Sequence, residues 1–352
     1  MTENLKNVVA ILQEISPRDC MIMSHADHDG FSASVLLNAY FVSKYGVRAE
    51  ISYPSRFCQY YEILKSIKDR QPKYLIIVDS PLQQYTNYLS DILKETRIMN
   101  LDHHDILHIN DRNFIDCNPH LDNVDFLNSS ALVWKILMNI DRDFFSQRCW
   151  VGGIGAAQDY CIEDSFEMFD LIKKMGLIDR FDLESVITSK LMSLAKVVRA
   201  SIATAGPEYT YDSFLDACLA NNINKLLHED TKLSFALQKY QEDLSRIEEF
   251  LKDKYDVFFR SGLKVKFCNL YFSSINFISD VCEREKDHAL YVAYKNGKVV
   301  FRCLFAPYDV RPLAKFLGGG GPNSRAAGAR TTLSYSETIG RVLGFLEQRT
   351  LS

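Results

Sequence analysis

The feature that most constrains the fold is a repeated order of short apolar segments, polar clusters and helical stretches in the first half of the chain. The clearest apolar segment is Tyr74–Val78, which ends in Asp79. A short run without polar alternation is typical of a strand buried on both faces of a parallel sheet. Similar segments precede His25 and Asp102, and helical periodicity follows. This alternation predicts an α/β fold with a doubly wound parallel sheet.

The predicted elements place the polar clusters at one edge of that sheet. The predicted strands are Asp19–Ser24, Arg48–Tyr53, Tyr74–Val78, Arg97–Leu101 and Phe114–Cys117. The predicted helices are Leu5–Ile15, Phe31–Tyr45, Gln59–Lys68, Leu82–Lys94 and Ser129–Ile140. Ligands of doubly wound sheets bind outside the carboxyl ends of the strands. The clusters at 25–29, 79 and 102–104 all follow predicted strands, so we expect them to meet.

The first cluster alternates polar side chains after its strand. His25, Asp27 and Asp29 are two residues apart, and Gly30 precedes the helical stretch. In an extended segment such side chains leave on one face, which would turn His28 to the opposite side. One imidazole and two carboxylates packed together repel and desolvate one another unless a cation lies between them. The spacing therefore predicts a metal site.

Further carboxylates and imidazoles complete the set. The candidate site residues are His25, Asp27, Asp29, Asp79, Asp102, His103, His104 and Asp159. Carboxylate and imidazole ligands without thiolates favour Mn²⁺ or Mg²⁺ over structural zinc. Four or more carboxylates suit two ions, which can hold a phosphate ester and activate water for its hydrolysis. Helix capping is the alternative for an aspartate at a strand end, but it does not explain the paired histidines.

Composition limits the class of protein and of ligand. The chain has 352 residues, with 47% hydrophobic and 24% charged residues, as expected of a soluble globular protein. Its net charge of −4 means that an anionic ligand needs a local pocket or a metal. Nine cysteines without a Cys-x-x-Cys pair predict reduced thiols and a cytoplasmic location. We expect neither a membrane span nor a secretion signal.

The second half changes from helical periodicity to a mixed pattern. Thr231–Lys254 predicts a long amphipathic helix, followed by a strand at Leu263–Phe272 and a helix at Ser274–Glu285. Asn296-Gly297 between two apolar segments predicts a β-hairpin with a type I′ turn. We therefore predict a catalytic domain at 1–180, a helical connector at 181–258, and a smaller α/β domain with a mixed sheet at 259–352.

A glycine run marks the candidate substrate site of the smaller domain. Gly318–Gly321 follows a predicted helix at Asp309–Phe316 and precedes small residues suited to a helix start. Exposed backbone N–H groups beside an arginine predict an anion- or nucleotide-binding loop, although a flexible turn is the usual explanation of such a run. The candidate contacts are Arg325, Arg302, Gly319, Gly320, Gly321, Asn323 and Ser324. For Arg302 a solvated edge position is the alternative.

Four motifs follow one another along the chain: His25-x-Asp27-x-Asp29-Gly30, Asp79, Asp102-His103-His104 and Asp159. In this order they resemble the motifs of the DHH phosphoesterases. Residues 318–328 resemble the nucleotide-binding signature of the C-terminal domain associated with that family. The architecture is similar to the two-domain members, namely nanoRNases, pAp phosphatases and dinucleotide phosphodiesterases. RecJ-type exonucleases share the core but usually carry an additional OB-fold. One departure is Pro322, which stands where the signature has a histidine, with one extra residue before Ala326-Ala327-Gly328.

The resemblance implies roles for the candidate residues. One ion would be held by His25, Asp27 and Asp79, and the second by Asp29, Asp79, His103 and Asp159. His104 would hydrogen-bond the scissile phosphate, and Asp102 would orient the site. Mn²⁺ is the expected metal, with Mg²⁺ and Co²⁺ as alternatives.

The expected activity is hydrolysis of short oligonucleotides or linear dinucleotides to mononucleotides. The alternatives are a pAp phosphatase, a cyclic-dinucleotide phosphodiesterase, a RecJ-like exonuclease and a non-catalytic nucleic-acid-binding scaffold. The expected partners are the nucleotide substrate and a second copy in a homodimer.

Overall fold

The computed structural model describes residues 3–54, 57–80, 82, 85–104, 106–124, 126–270 and 277–348, without the side chains of 57–59, 228, 229 and 231. Two compact units divide the chain, Met1–Gln238 and Lys239–Ser352. The boundary falls inside the segment predicted as a helical connector. The domain limits inferred from the sequence remain a prediction.

The first unit is an α/β unit with a parallel sheet. Its strands are Cys20–Ser24 (β1), Glu50–Ser52 (β2), Tyr74–Val78 (β3), Arg97–Leu101 (β4) and Phe114–Asp116 (β5). Its helices are Glu3–Glu14 (α1), His28–Tyr45 (α2), Phe57–Arg70 (α3), Thr86–Ile92 (α4), Ser129–Met138 (α5), Arg142–Ser146 (α6), Cys149–Gln158 (α7), Phe166–Lys174 (α8), Leu183–Ile187 (α9), Lys190–Thr204 (α10) and Pro207–Ala220 (α11). A further helix, Thr231–Leu251 (α12), crosses the unit boundary. The sheet has the order β2-β1-β3-β4-β5 with every pair parallel, which confirms the predicted architecture.

Helix α2 is the central helix of this unit. Its residues from Asp29 to Phe41 are all buried, because α5, α7 and α11 pack around it. A helix that is apolar on all sides is stable only in such an interior position. Its buried N-terminal end lies beside the end of β1, which places the first polar cluster at the edge of the sheet.

The prediction of an extended segment at 25–29 was wrong. Helix α2 begins at His28, and Asp27 is its N-cap, with a carboxylate oxygen that accepts from the N–H groups of Asp29 and Gly30. Asp29 therefore belongs to the first helical turn. A Cβ on Gly30 would overlap the carbonyl oxygen of His25, so glycine permits this tight strand-to-helix connection.

The second unit carries a mixed sheet. Its strands are Asp256–Arg260 (β6), Leu263–Asn269 (β7), Ala289–Lys295 (β8), Lys298–Arg302 (β9), Gly320–Asn323 (β10) and Ala326–Arg330 (β11). Its helices are Phe277–Glu285 (α13), Arg311–Phe316 (α14) and Tyr335–Gln348 (α15). The strand order is β10-β11-β9-β8-β7-β6, and only β7 and β8 pair in parallel. The mixed sheet was predicted, whereas β6 was not. The predicted limits at Phe272 and Ser274 lie outside the described residues.

One face of this second sheet packs on α14 and α15. Phe267, Val292, Val299 and Phe301 are fully buried in the core on that face. The predicted type I′ turn is confirmed by the positive φ angles of Asn296 (47°) and Gly297 (78°).

The glycine run adopts a different structure from the predicted loop and helix start. Residues Gly320–Asn323 and Ala326–Arg330 form an antiparallel pair, and β10 is an edge strand. A Cβ on Gly319 would overlap the carbonyl oxygen of Gly328, and one on Gly321 would overlap that of Ala326. Close approach of the two backbones therefore explains both glycines.

No helix among the described residues has the length and apolar character needed to cross a membrane.

Candidate metal centre

The polar clusters meet at the carboxyl edge of the first sheet, as the strand pattern predicts. His25 and Asp27 follow β1, Asp79 follows β3, and His103 follows β4. Asp159 comes from another direction, at the C-terminal end of α7. Parallel strands bring residues from distant parts of the sequence to the same edge, which is why these clusters converge.

Asp79 lies between the other groups. Its Oδ1 is 3.4 Å from His103 Nε2, and its Oδ2 is 3.7 Å from His25 Nδ1 and accepts from the N–H of Gly30 at 3.1 Å. The backbone of Asp79 has a φ of 50°, in the left-handed region that non-glycine residues seldom adopt. Such strain persists where the surroundings fix the residue, and it is concentrated at functional sites.

The donor atoms form overlapping groups in which all atoms lie within 4.8 Å of one another. The groups are His25, Asp27 and Asp79; Asp79, His103 and His104; and Asp29, His103 and Asp159. His25 Nδ1 lies 2.7 Å from Asp27 Oδ2. His103 Nε2 lies 3.5 Å from Asp29 Oδ2 and 3.8 Å from Asp159 Oδ2. The first group has the same members as one ligand set implied by the resemblance, whereas the group of Asp29, His103 and Asp159 lacks the Asp79 of the other set. Their assignment as metal ligands remains a prediction.

Asp29 is held by the N-terminus of α5. Its Oδ1 accepts from Asn128 Nδ2 at 2.6 Å and from the Ser130 N–H at 2.8 Å, and its Oδ2 accepts from the Ser129 N–H at 3.0 Å. Asn128 Nδ2 also lies 3.2 Å from Asp159. Backbone donors and the helix dipole at this end stabilise a carboxylate. Asn128 was not identified from the sequence, although Asn-Ser-Ser before an apolar helix is an N-cap signal.

Replacing Asn128 with alanine is expected to weaken Mn²⁺ binding about 10- to 100-fold, because loss of a partner that orients a ligand has effects of this size. Calorimetric titration of the metal-stripped protein measures it. Ser189→Ala is the matched control, since it removes the N-cap side chain of another helix, α10, and Ser189 has no contact with the donor carboxylates among the described residues. Equal Mn²⁺ affinity in both variants would rule out a role for Asn128 in holding Asp29.

His28 does not point away from the cluster, as the extended segment predicted. Its Nε2 lies 3.3 Å from Asp159 Oδ1, and its side chain is largely buried. Since α2 already begins at His28, helical rather than strand geometry sets its direction. His28 therefore contacts one carboxylate oxygen of Asp159, and Asn128 contacts the other.

Asp102 and His104 form a separate pair beside Asp79. His104 Nδ1 is 2.7 Å from Asp102 Oδ1 and 3.8 Å from Asp79 Oδ1. Burial opposes ionisation of Asp102, but the charge and hydrogen bond of His104 outweigh it and lower the Asp102 pKa. Asn118 Nδ2 fixes the same histidine through its backbone carbonyl oxygen. The ring is thus oriented through Nδ1, which leaves Nε2 as the nitrogen to face a ligand.

The donor chemistry of the cluster fits divalent cations. Among the described residues, histidines are the only cationic groups within 4 Å of Asp29 and Asp79. Burial and the neighbouring carboxylates raise the pKa of both aspartates. Burial also raises the pKa of the adjacent Cys161 thiol to about 11, which disfavours the thiolate form in the absence of metal. Oxygen and imidazole donors with uncompensated negative charge suit Mn²⁺ or Mg²⁺.

Metal binding at this cluster is expected to release protons. Burial disfavours the charged form of His25 and of His103, but the adjacent carboxylates outweigh it and raise the pKa of each well above 6.5. Without metal, and at a pH between 6.5 and the folded-state pKa, both rings hold protons that the same histidines have lost in the unfolded chain. The stability they contribute is present below pH 6.5 and declines as pH rises through the folded-state pKa. Because a metal ligand must be neutral, Mn²⁺ affinity increases over the same range.

Calorimetric titrations in buffers of different ionisation enthalpy count the protons released per Mn²⁺. Binding without proton release at a pH between 6.5 and the folded-state pKa of His25 and His103 would contradict this description of the histidines.

The candidate substrate residues lie in the second unit. The Arg302 Nε donates to Ser279 Oγ at 2.8 Å, so α13 fixes its guanidinium. Asn323 is fully buried, and its side-chain oxygen accepts from the N–H groups of Arg325 and Ala326 within the β10–β11 turn. Arg325 and Ser324 are half-buried in that turn. Substrate contact by these residues remains a prediction.

Comparisons with known proteins find similarity in structure. No protein-family model matches the sequence, and no curated protein matches it. A DHH domain described as a member of the s1p family of ribosomal proteins has 14% identity and a TM-score of 0.72, with 98% of this chain and 90% of that one covered.

Two RecJ structures are also similar. RecJ in complex with Mn²⁺ from Thermus thermophilus has 14% identity and a TM-score of 0.67, with 98% of this chain covered and 55% of that one, so this chain spans about half of its length. An exonuclease RecJ bound to manganese has 14% identity and a TM-score of 0.63, with 98% and 95% covered. The chain therefore has the fold of DHH-domain proteins, as its sequence motifs predict.

Proposed function

We propose that the chain is a two-metal phosphoesterase that uses Mn²⁺ and hydrolyses short oligonucleotides or linear dinucleotides to mononucleotides. The observation that carries the proposal is the position of Asp79 in two groups of metal-donor side chains. A carboxylate shared in this way suits a pair of ions about 3.5–4 Å apart. Such a pair supplies positive charge to a phosphate ester and activates water for its hydrolysis.

The residues of the first unit divide into ligands and groups that orient them. We assign one ion to His25, Asp27 and Asp79, and the second to Asp29, Asp79, His103 and Asp159. The positions of the ligand side chains are fixed by the protein: Asp27 is the N-cap of α2, and Asn128 at the N-terminus of α5 holds Asp29 and Asp159. This reduces the rearrangement needed when ions bind.

His104 and Asp102 have a different role in the proposal. Because Asp102 occupies Nδ1 of the imidazole, the ring presents Nε2 to a phosphate oxygen. A donor aimed at the developing negative charge stabilises the transition state, and the buried Asp102 keeps the ring in the required tautomer.

The second unit holds the substrate in this proposal. Residues 259–352 supply Arg302 and Arg325 for a phosphate, and the backbone at Gly319, Gly320 and Gly321, with Asn323 and Ser324, shapes the same contact. Residues 1–180 supply the metal domain, and 181–258 the connector.

A RecJ-like exonuclease is the second candidate, because two RecJ structures share the fold. A pAp phosphatase and a cyclic-dinucleotide phosphodiesterase would use the same metal groups. A non-catalytic scaffold would not need the donor groups, and here every proposed metal ligand is a carboxylate or an imidazole.

A hydrolysis assay with Mn²⁺ separates these activities. It follows 5′-labelled strands from a dinucleotide to a long oligonucleotide, with pAp and a cyclic dinucleotide in parallel and an Asp102→Ala/His103→Ala double variant as control. Preference for the shortest strands supports the proposal. Preference for the longest strand selects the RecJ-like activity, and turnover of pAp or the cyclic dinucleotide alone selects those enzymes. Absence of metal-dependent turnover with every substrate overturns the enzymatic proposal.

A further inference from the structure

Strand β6 forms an edge of the second sheet and carries exposed apolar side chains. It is the last strand in the order β10-β11-β9-β8-β7-β6. The side chains of Val257 and Phe259 are 44% and 68% exposed, on the face opposite Phe258, which packs against the core. An edge strand with exposed apolar residues offers its unpaired backbone groups to a further strand.

The other sheet edges have features that hinder such pairing. In the first unit, the edge strands β2 and β5 have three residues each. In the second unit, β10 has an irregular register with β11 and contains Pro322, which has no N–H group. Short strands, irregular pairing and proline all oppose the addition of a strand. By contrast, β6 has five residues in regular register with β7 and contains no proline.

The hairpin of β6 and β7 determines which backbone groups face the open edge. Arg260 is opposite Leu263 across the turn Ser261-Gly262, whose φ angles are 54° and 78°. The pair that flanks a two-residue turn is hydrogen-bonded, and bonded pairs alternate along an antiparallel ladder. The N–H and C=O groups of Val257 and Phe259 therefore face outward. Within the described part of the chain, neither residue forms a backbone hydrogen bond beyond this hairpin.

We propose that two copies of the chain pair through β6, with the strands antiparallel and a two-fold axis at Phe258. In this register Val257 of one copy is opposite Phe259 of the other, so the outward-facing backbone groups exchange hydrogen bonds at both pairs. The two six-stranded sheets become one continuous sheet. The inference is independent of the proposed function, because the interface contains none of the proposed metal ligands.

The charges at the ends of β6 indicate a second copy of this chain as the occupant of the edge. Asp256 begins the strand and Arg260 ends it. Pairing about Phe258 places Asp256 of each copy opposite Arg260 of the other, and opposite charges across strands stabilise a sheet. Any other register loses both ion pairs. Contacts with Tyr335 and Glu347 hold the two charged side chains beside the strand on α15.

The small size of the interface sets the expected strength of the dimer. A single pair of short strands belongs to the weak interfaces that bury less than about 1,200 Å² in total. Sedimentation velocity of the full chain, from about 1 µM to about 500 µM, covers the affinities of such complexes. We expect the wild-type chain to change from monomer to dimer within this range.

Two charge variants test the register. Asp256→Arg makes both ends of the strand positive, and Arg260→Asp makes both ends negative, so each variant meets like charges in its own dimer. We expect each variant alone to dimerise about 10-fold or more weakly than the wild type. In an equimolar mixture opposite charges meet at both ends, so a heterodimer should form with an affinity within about three-fold of the wild-type value. This recovery would also show that both variants are folded.

Three results would overturn the inference. A wild-type chain that stays monomeric at the highest concentration would exclude self-pairing and leave an extended segment of another protein as the occupant of the edge. Dimers that neither single variant weakens would use a different surface. Weak dimerisation of both variants without recovery in their mixture, in proteins whose thermal melts match the wild type, would exclude the pairing of Asp256 with Arg260.

Discussion

Replacement of Asp79 with asparagine is expected to lower kcat/KM for hydrolysis at least about 1000-fold, because the loss of metal-based transition-state stabilisation costs several kcal/mol. The substitution removes one negative charge from both donor groups that contain Asp79. Asparagine tolerates the left-handed conformation at this position, so the backbone is retained. Steady-state kinetics and a thermal melt of the same preparation separate loss of activity from loss of folding.

The control for Asp79 is a conservative change of the same kind away from the site. Asp91→Asn removes an exposed carboxylate that pairs with Lys68 and Lys94 on the surface of the first unit. It is expected to keep wild-type activity, since exposed pairs contribute little to stability. A folded Asp79→Asn protein with more than about a tenth of wild-type activity would exclude Asp79 as the shared ligand.

Replacement of Gly155 with alanine is expected to disrupt the donor group of Asp29, His103 and Asp159. A Cβ at this position would overlap Ser130 Oγ and lie 2.8 Å from Asp29 Oδ1, so Asp29 must move out of its contacts with α5. Alanine in a helix interior normally stabilises by about 1 kcal/mol relative to glycine. Here we expect destabilisation of about 1–3 kcal/mol from overpacking, and a loss of Mn²⁺ affinity of about 100-fold or more.

Gly152 on the same helix supplies the matched control. A Cβ there would lie 2.8 Å from Met168 Sδ, the end of a flexible side chain, and 3.3 Å from the Ser130 carbonyl oxygen, with no carboxylate oxygen among its three nearest atoms. Gly152→Ala should therefore cost stability without a comparable loss of Mn²⁺ affinity, as measured by calorimetry and thermal denaturation. Retention of wild-type Mn²⁺ affinity in Gly155→Ala would show that α7 does not constrain Asp29.

The sheet and its polar edge could be predicted because the signals are local. Tyr74–Val78 and Arg97–Leu101 have the predicted limits, since a buried parallel strand appears as a continuous apolar run. The convergence of His25, Asp79 and His103 then follows from the geometry of parallel sheets.

The detailed support of the site could not be predicted because it depends on contacts between distant segments. Asn128 is 99 residues from Asp29 in the sequence, and its N-cap signal does not indicate which side chain lies beyond the helix end. The direction of the His28 side chain could be predicted only with knowledge of the residue at which α2 begins. Helix boundaries are poorly specified by periodicity.

The structure of the glycine run could not be predicted for a second reason. Glycine has no side chain that favours a strand, so Gly320–Asn323 carried no strand signal. Its structure is set by the close approach of β11, which only the assembled sheet shows.

The stoichiometry of Mn²⁺ binding tests the central claim most directly. We predict that calorimetric titration of the metal-stripped chain gives two Mn²⁺ ions per chain, and that Asp79→Asn impairs the binding of both. Saturation with no ion or with one ion per chain, or two ions whose binding is unaffected by Asp79→Asn, would contradict a centre built on Asp79.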